Sequence, residues 1–272
     1  MQQFTGPGLD LAAFAAVDAA DDPRALLGYL DRAKLQPTLQ ALRLRMIDLL
    51  QLTPPARVLD AGCGLGGEAL ELAGRGDVEV VGVDSSLAMI EQARARADEA
   101  GLPVTVLQAD AADLPFPDDH FDACQAQTLL GHVRDPLPVI AELVRVTRPG
   151  GRVVLLDLDQ GSTVLDHPDR ATTAAVLQSF ADGFANGWAG RQLRRLLLQA
   201  GLADATVEQT PMDLHPGFLS QVLIPAVRRL RAAGTVDDAT ADRWWAQLQG
   251  LAEDGLFSAT VTWFLAAGTV PG

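Results

Sequence analysis

A glycine-rich loop between a predicted strand and a predicted helix constrains this chain more than any other feature of its sequence. Arg57–Ala61 (RVLDA) is predicted to be a short strand, and Gly62, Gly64 and Gly67 follow it with the spacing G-x-G-x-x-G. Glycine has no Cβ, so such a loop turns sharply and lets a ligand approach its backbone closely. The spacing alone is a weak signal, so its meaning depends on the elements around it.

An acidic residue at the end of the next strand strengthens this signal. Val78–Val83 is predicted to be that strand, and Asp84 follows it directly. A carboxylate at this place can accept hydrogen bonds from both hydroxyls of a ribose. Together, the loop and the acid predict a site for an adenosine-containing cofactor. The alternative is an ordinary tight turn, with Asp84 capping the following helix.

The residue two positions before the first glycine discriminates between cofactors. Asp60 stands there, and Gly62 opens the loop. A nicotinamide dinucleotide places its pyrophosphate at the following helix N-terminus, where a nearby carboxylate would repel it. S-adenosylmethionine (SAM) carries a sulfonium and an ammonium, which a carboxylate tolerates or binds. The local charge therefore favours SAM over NAD.

Strands and helices alternate along the first half of the chain, with connections of a few residues. This order predicts an α/β fold with a mostly parallel, seven-stranded sheet and helices on both faces. A helix over Pro23–Leu52, broken near Pro37, precedes the sheet, and two helices separate its last two strands. The predicted strands are Arg57–Ala61, Val78–Val83, Val104–Gln108, Phe121–Gln125, Arg152–Leu158, Ala205–Gln209 and Phe257–Ala266.

These patterns divide the chain into four segments. We predict an N-terminal helical cap (1–52), a cofactor-binding core (53–210), a helical insertion or cap (211–256), and a final core strand with a tail (257–272). The helices outside the core are long for plain connections, so we expect them to cover a substrate.

Charge and composition narrow the choice of partners. The net charge of −14 repels phosphate backbones and anionic lipids, which argues against a nucleic-acid or membrane partner. The basic cluster Arg191, Arg194 and Arg195 is predicted to be a solvated helix face. Cys63 and Cys124 are expected to be reduced core thiols. With neither a leader nor a membrane-spanning apolar run predicted, we expect a cytoplasmic protein; no particular oligomeric state is indicated.

Several motifs together resemble a known family. Val58–Gly64 (VLDAGCG) resembles the first signature of the class I SAM-dependent methyltransferases, which have a Rossmann-like fold. The similarity extends over about residues 55–160 and is greatest to the ubiquinone/menaquinone-biosynthesis-like group, which methylates small molecules. The other matching stretches are Val83–Ser86, Met89, Ala109–Phe116, Phe121–Asp122 and Arg148–Gly151.

This resemblance implies roles for residues around the methionine and ribose parts of SAM. Gly62 and Gly64 would pass under the methionine part, and Asp84 would bind the ribose. Gln127, just past the fourth strand, would lie near the methionine moiety. Tyr29 lies in a helix that related enzymes fold over the cofactor, so its hydroxyl would reach the SAM carboxylate; ordinary packing is the alternative.

The resemblance also implies an adenine pocket. Ser85 and Met89 would lie beside the base. Asp110 would accept a hydrogen bond from the adenine amino group, and the Ala111 N–H would donate to a ring nitrogen. The alternatives are a core helix residue for Met89 and a turn residue for Asp110.

Methyl transfer depends mainly on positioning, so no catalytic constellation is required. His132 falls just beyond the fourth strand, on the side where open α/β sheets bind ligands. It is a candidate general base, or else a residue that shapes the pocket or supports the fold. Asp157 and Asp159 end the fifth strand and are candidates for orienting an acceptor. His167 and His215 are expected to be solvated loop residues, and no metal site is predicted.

Aromatic residues in the second half suggest an apolar pocket under the cap. Such a pocket suits a small, partly apolar molecule better than a protein side chain. Three alternatives stay open: SAM-dependent cyclisation or decarboxylation without methyl transfer, an NAD-dependent oxidoreductase, and a non-catalytic SAM-binding subunit. The candidate lining residues are Phe180, Phe184, Trp188, Phe218, Trp244, Trp245 and Trp263.

Overall fold

The computed structural model describes residues 8–19, 23–33 and 35–272. In this part of the chain, one seven-stranded sheet has the order β3-β2-β1-β4-β5-β7-β6. Its strands are β1 (Ala56–Ala61), β2 (Val78–Asp84), β3 (Val104–Gln108), β4 (Phe121–Gln127), β5 (Thr147–Leu165), β6 (Ala203–Asp213) and β7 (Ala259–Thr269). The helices are α1 (Pro23–Ala33), α2 (Pro37–Leu50), α3 (Gly67–Ala73), α4 (Leu87–Ala100), α5 (Leu137–Val146), α6 (Arg170–Ala181), α7 (Ala189–Gln199), α8 (Pro216–Ala232) and α9 (Asp238–Glu253).

The strand order confirms the predicted α/β fold and locates its binding edge. Strands β1 to β5 pair in parallel, whereas β7 runs antiparallel between β5 and β6. The chain order reverses at β1, which lies between β2 and β4. In open sheets of this kind, ligands bind beyond the carboxyl ends of the strands at such a reversal.

Alternate residues of β1 enter two different cores, which explains why this strand is apolar on both faces. Val58 packs with residues of α2 and α3, such as Leu72. Leu59 packs on the opposite side with residues of α5 and α7, such as Ile140 and Leu193. Burial on both faces is what a central parallel strand requires.

A third apolar cluster joins α6, α8 and α9 outside the sheet. Trp244 on α9 is fully buried there, and its indole N–H donates to the Thr173 hydroxyl at 2.9 Å. His167 stacks on the same indole with ring centroids 5.0 Å apart and is only 5% exposed. The expectation of a solvated His167 was therefore wrong, because the cap helices cover the loop that carries it.

The predicted break near Pro37 is confirmed: the N-terminal helical segment is divided into α1 and α2, with Pro37 as the first residue of α2. The bounds of several predicted strands differ from the observed ones. Strand β5 extends from Thr147 to Leu165, well beyond the predicted Arg152–Leu158. Pairing with β7 extends the strand, and a register shift between Asp159 and Val164 accommodates its polar end.

An N-terminal segment, Leu11–Ala19, consists of 3-10 turns with a kink at Ala16 and is called the 3-10 helix below; it is fastened to the start of α4. The Asp18 carboxylate accepts hydrogen bonds from the Ser86 hydroxyl at 2.6 Å and from the Leu87 N–H at 2.9 Å. A third bond comes from the Ala88 N–H at 3.2 Å. Helix N-termini favour anionic acceptors of this kind. The Ser86 hydrogen bond is the largest influence lowering the pKa of Asp18.

Among the described residues, no helix is long and apolar enough to cross a membrane.

The buried Trp244 generates a stability prediction. Trp244→Ala should lower the free energy of unfolding by about 3–5 kcal/mol, because it removes a fully buried indole and leaves a cavity. Urea denaturation followed by circular dichroism measures this loss. Trp188→Ala is the matched control, since Trp188 is 46% exposed and should cost less than about 1 kcal/mol. Similar losses in the two variants would contradict this account of the cap.

The Asp18 contacts generate a pH-dependent prediction. Asp18→Ala should destabilise the protein by about 1 kcal/mol at pH 7, as expected for a lost helix cap. Folding lowers the pKa of Asp18, so its contribution is present above the unfolded pKa and is lost as pH falls through the folded pKa. The difference should therefore shrink below about pH 4. Asp10→Ala is the control, because Asp10 bonds only within its own segment, to the Ala12 N–H. A difference that persists at low pH would refute the electrostatic explanation.

Candidate functional site

A chamber of about 520 Å³ lies beyond the carboxyl ends of the central strands. We call it the first chamber. It gathers every residue predicted to bind the cofactor, together with His132, although their individual roles stay predictions. These residues are Tyr29, Asp60, Gly62, Gly64, Asp84, Ser85, Met89, Asp110, Ala111, Gln127 and His132.

The glycine loop forms the turn at the end of β1. Gly62 has a φ of +71°, and a Cβ on it would approach Leu129 Cδ1 to 3.0 Å. The N–H groups of Gly62 and Cys63 both donate to the Val83 carbonyl, at 2.8 and 2.9 Å. Gly66 is the N-cap of α3 and has a left-handed conformation (φ +76°), and Gly67 is the first residue of the helix.

Asp84 ties the glycine loop to the following helix. One carboxylate oxygen accepts from the Gly64 N–H at 2.9 Å, and the other accepts from the Ser86 N–H at 2.9 Å. Burial raises the pKa of this carboxyl. A carboxylate oxygen has two acceptor sites, so each oxygen that binds a backbone N–H still has one site for a ligand hydroxyl.

Asp60 is a buried carboxylate with one unused oxygen. It is 2% exposed, and its Oδ1 accepts from the Gln125 side-chain amide at 3.2 Å. Its Oδ2 has no hydrogen-bond partner among the described residues. Burial, followed by the nearby Glu68 carboxylate, raises the pKa of Asp60 to about 8. An unpaired buried oxygen that lines a chamber is suited to a cationic or hydrogen-bond-donating ligand.

A guanidinium on α2 lies at the same chamber. Arg43 forms an ion pair with Glu68 and donates from Nε to Gln127 Oε1 at 3.2 Å. Both arginine and glutamate side chains are 16% exposed. The first chamber therefore combines a carboxylate with an unused oxygen and a fixed guanidinium.

The predicted adenine side of the chamber is held by local backbone contacts. Asp110 Oδ1 accepts from the Ala112 N–H at 2.9 Å, which forms a tight turn. The Gln108 side-chain amide donates to the Ser85 carbonyl at 3.0 Å. Met89 is 3% exposed and packs with residues of the N-terminal segment and α1. This side of the chamber is therefore closed partly by the 3-10 helix.

His132 lies in an aromatic setting with a free ring nitrogen. Its ring centroid is 5.8 Å from that of Phe14 and 5.9 Å from that of Phe184. Nδ1 is buried and has no hydrogen-bond partner among the described residues. Burial lowers the pKa of His132 to about 4, so the imidazole is neutral near pH 7 and can accept a proton.

Asp157 fixes the turn that carries His132. Its carboxylate accepts from the Gly131 N–H at 3.1 Å and from the Leu158 N–H at 2.8 Å. The Gly131 carbonyl in turn accepts from the Asn186 N–H at 3.0 Å. Asp157 is 4% exposed and lines the first chamber, and burial raises its pKa to about 7.

Asp159, the other acid of this strand, does not line either chamber described for this chain. It forms a bidentate ion pair with Arg191, in which Nη2 donates to Oδ1 at 2.9 Å. Arg191 also lies over the Trp188 ring, 4.6 Å from its centroid. Arg191 is exposed, as a solvated helix face requires, and it also pairs with this buried carboxylate of β5.

A second chamber of about 340 Å³ adjoins the first. It lies between the 3-10 helix, α1, α8 and the last strands of the sheet. Phe180, Phe218 and Trp263 line it, and Phe184 and Trp263 line the first chamber. Three of the predicted lining residues lie elsewhere: Trp244 and Trp245 are buried in the cap core, and Trp188 is on the surface. Of the two loop histidines, exposed His215 is at the rim of this chamber, and its Nδ1 caps α8.

The sequence interpretation missed several functional candidates. Arg43, Glu68 and Gln125 carry no motif of their own, and only the fold brings them to Asp60. Phe14 and the 3-10 helix were missed because the Ala-rich N-terminal segment has little periodicity. No local signal distinguishes Arg43 from Arg45, which lies two residues later on the same helix.

Comparison with known proteins identifies the family. A model of the family described as "Methyltransferase domain" matches residues 59–155. The chain is 33% identical over 256 residues to an uncharacterized 37.1 kDa protein in a transposon of Streptomyces fradiae, with 90% of this chain and 72% of that protein aligned. It is 40% identical over 134 residues to the 27-O-demethylrifamycin SV methyltransferase of Amycolatopsis mediterranei, with 48% and 49% aligned. The chain thus spans about half the length of that curated methyltransferase.

A solved structure agrees in fold. It is phosphoethanolamine N-methyltransferase 2 of Haemonchus contortus in complex with SAM, at 21% identity and a TM-score of 0.57. The match covers 88% of this chain and 54% of that one. The family match favours methyl transfer over the cyclising, decarboxylating and NAD-dependent alternatives. The chain belongs to the class I SAM-dependent methyltransferases, a family whose cofactor is S-adenosylmethionine.

Proposed function

We propose that this methyltransferase acts in the cytoplasm on a small, partly apolar molecule, and that the first chamber holds SAM. The observation that carries the proposal is a pair of complementary groups at that chamber, an acid with one unpartnered oxygen and a guanidinium. Asp60 offers a buried, unpartnered oxygen, and Arg43 offers a guanidinium fixed by Gln127. The methionine part of SAM carries an ammonium and a carboxylate, which are complementary to this pair.

The remaining groups of the first chamber suit the adenosine part. We assign the ribose hydroxyls to Asp84 and the adenine ring to the surface formed by Ser85 and Met89. Asp110 and the Ala111 N–H supply the acceptor and the donor for the edge of the base. The glycine loop leaves room for the ligand beside these groups. A Cβ built on Gly64 would have the Leu30 side chain as its nearest neighbour, at 3.9 Å.

Two roles are open to Tyr29. Its hydroxyl would reach the SAM carboxylate, or its ring would only form a wall. The ring stacks on Phe218 at 5.7 Å and lies 6.0 Å from Phe14, which supports a wall between the chambers. Burial raises the pKa of Tyr29 to about 12, so it does not act as a base near pH 7.

When bound, SAM supplies a methyl group on a sulfonium: an acceptor lone pair bonds to the methyl carbon, the carbon–sulfur electrons return to sulfur, and S-adenosylhomocysteine remains. The carbon is already activated, so the protein contributes mainly by alignment and exclusion of water. His132 is our candidate for taking the acceptor proton, because its neutral Nδ1 is free. The alternative is that His132 only shapes the pocket between Phe14 and Phe184.

The assignment of Asp60 to the ammonium of SAM is tested by calorimetric titration with SAM. Asp60 has a pKa of about 8 without ligand, so it is mostly protonated at pH 7, and an adjacent ammonium would ionise it. SAM binding should therefore release a proton, seen as a heat that depends on the ionisation enthalpy of the buffer. Asp60→Asn should abolish this release and weaken SAM binding at least about tenfold.

Asp98→Asn is the control, because Asp98 is an exposed acid on α4. Its titration should match that of the wild type. Unchanged SAM affinity in Asp60→Asn would refute the assignment of the ammonium. Binding of NAD in place of SAM would overturn the proposed function itself.

The role of His132 is tested by separating turnover from binding. If His132 is the base, His132→Ala should lower kcat at least about a hundredfold. The SAM dissociation constant should stay within about twofold, because Asp60 and Arg43 are untouched. S-adenosylhomocysteine formation with an acceptor that the wild type methylates gives kcat, and calorimetry gives affinity. Equal losses in both quantities would indicate a pocket role only.

A further inference from the structure

The second chamber has walls in common with the first, which suggests a site for the second substrate. The walls come from the 3-10 helix, from α1 and α2, and from the ends of β5 and β7. A ligand in one chamber is therefore adjacent to a ligand in the other. The residues that line both are Leu11, Tyr29, Ala33, Leu39, Leu158, Gln160 and Trp263.

We propose that the second chamber binds the methyl acceptor, and that this acceptor is a mainly apolar, uncharged molecule with its nucleophilic atom at the shared walls. This inference rests on the proposed function and names the substrate class and its position. Three properties of the chamber support it: its buried polar side chains already have hydrogen-bond partners, its charged groups lie at the rim, and its volume is small.

The buried polar side chains that line the second chamber, Thr163 and Trp263, already have partners. The Thr163 hydroxyl donates to the Gln160 carbonyl at 2.8 Å. The Trp263 indole N–H donates to the sulfur of Met212 at 3.3 Å. The other buried lining residues are apolar, as with Phe180 and Val222. A polar group on the body of a ligand would lose its water without gaining a partner, at a cost of about 1–3 kcal/mol.

Charged groups occur only at the rim of the second chamber, among its described lining residues. Arg32 and Asp213 are both exposed there and have opposite signs, and exposed Gln36 and His215 complete the rim. Neither sign of charge prevails at this entrance. The chain as a whole carries −14, which disfavours the approach of anions. An uncharged ligand with a polar end at the rim fits this distribution.

Size limits the acceptor further. A volume of about 340 Å³ is at the lower end of the range of about 300–1,000 Å³ for ligand pockets. Tyr29, which stacks on Phe218, lines the chamber together with Trp263, and such aromatic side chains pack well against an aromatic body. A naphthalene-sized probe is therefore appropriate.

The test compares two probes with the same apolar body, 2-naphthol and naphthalene-2-sulfonate, on the full chain saturated with S-adenosylhomocysteine. Val222→Phe adds volume to a side chain that is 2% exposed and lines the chamber. We expect the wild type to bind 2-naphthol at least tenfold more tightly than the sulfonate. Val222→Phe should weaken 2-naphthol binding at least tenfold and leave S-adenosylhomocysteine affinity within twofold. Val164→Phe is the control, because Val164 is 62% exposed and lines neither chamber.

Three results would overturn the inference while leaving the proposed function intact: no saturable 2-naphthol binding, equal binding of the sulfonate, or unchanged binding in Val222→Phe. Failure to bind SAM or S-adenosylhomocysteine would instead overturn the proposed function. If Val222→Phe does not fold, Phe218→Ala tests the same inference, because it enlarges the second chamber. It should shift the preference from 2-naphthol towards 1-pyrenol at least fivefold, and an unchanged preference would overturn the inference.

Discussion

The parallel register of β1 between β2 and β4 is the constraint on which the rest of the structure depends. It places Asp60 level with Gly82 on one side and Gln125 on the other. The Gln125 amide can therefore donate to Asp60, and the second carboxylate oxygen has no hydrogen-bond partner in the part of the chain that the structure describes. A slip of one residue would turn Asp60 to the opposite face of the sheet. Register thus decides whether this buried acid serves a ligand or merely destabilises the fold.

Much of the core and half of the site could be predicted from local sequence. The strand, glycine loop and acid of β1 and β2 are contiguous patterns, and parallel pairing brings their ends to one edge. Arg43 and Glu68 could not be predicted in the same way, because α2 shows only helical periodicity. Their ion pair at the first chamber depends on how α2 packs against the sheet. Contacts between residues distant in sequence carry no local pattern.

Predictions for individual polar and aromatic residues of the second half were less successful, for one physical reason. A lone histidine, tryptophan or aspartate has the same local pattern whether a neighbouring element covers it or not. His167 is buried because α9 stacks a tryptophan on it, and Asp159 is neutralised because α7 begins beside it with Arg191. Trp188 lies on the surface beside this ion pair and not in a pocket. The packing of the neighbouring helices, which has no local sequence pattern, determined the environment of each of these residues.

The position of the 3-10 helix Leu11–Ala19 has a consequence for how ligands enter and leave the two chambers. Leu11 lines both chambers, Phe14 separates the rings of Tyr29 and His132, and Asp18 fastens the segment to α4. One short segment thus borders both proposed binding chambers. A movement of this segment that opened one chamber would also open the other. The two products of a turnover would then share an exit, and their release would be coupled by geometry rather than by any contact between them.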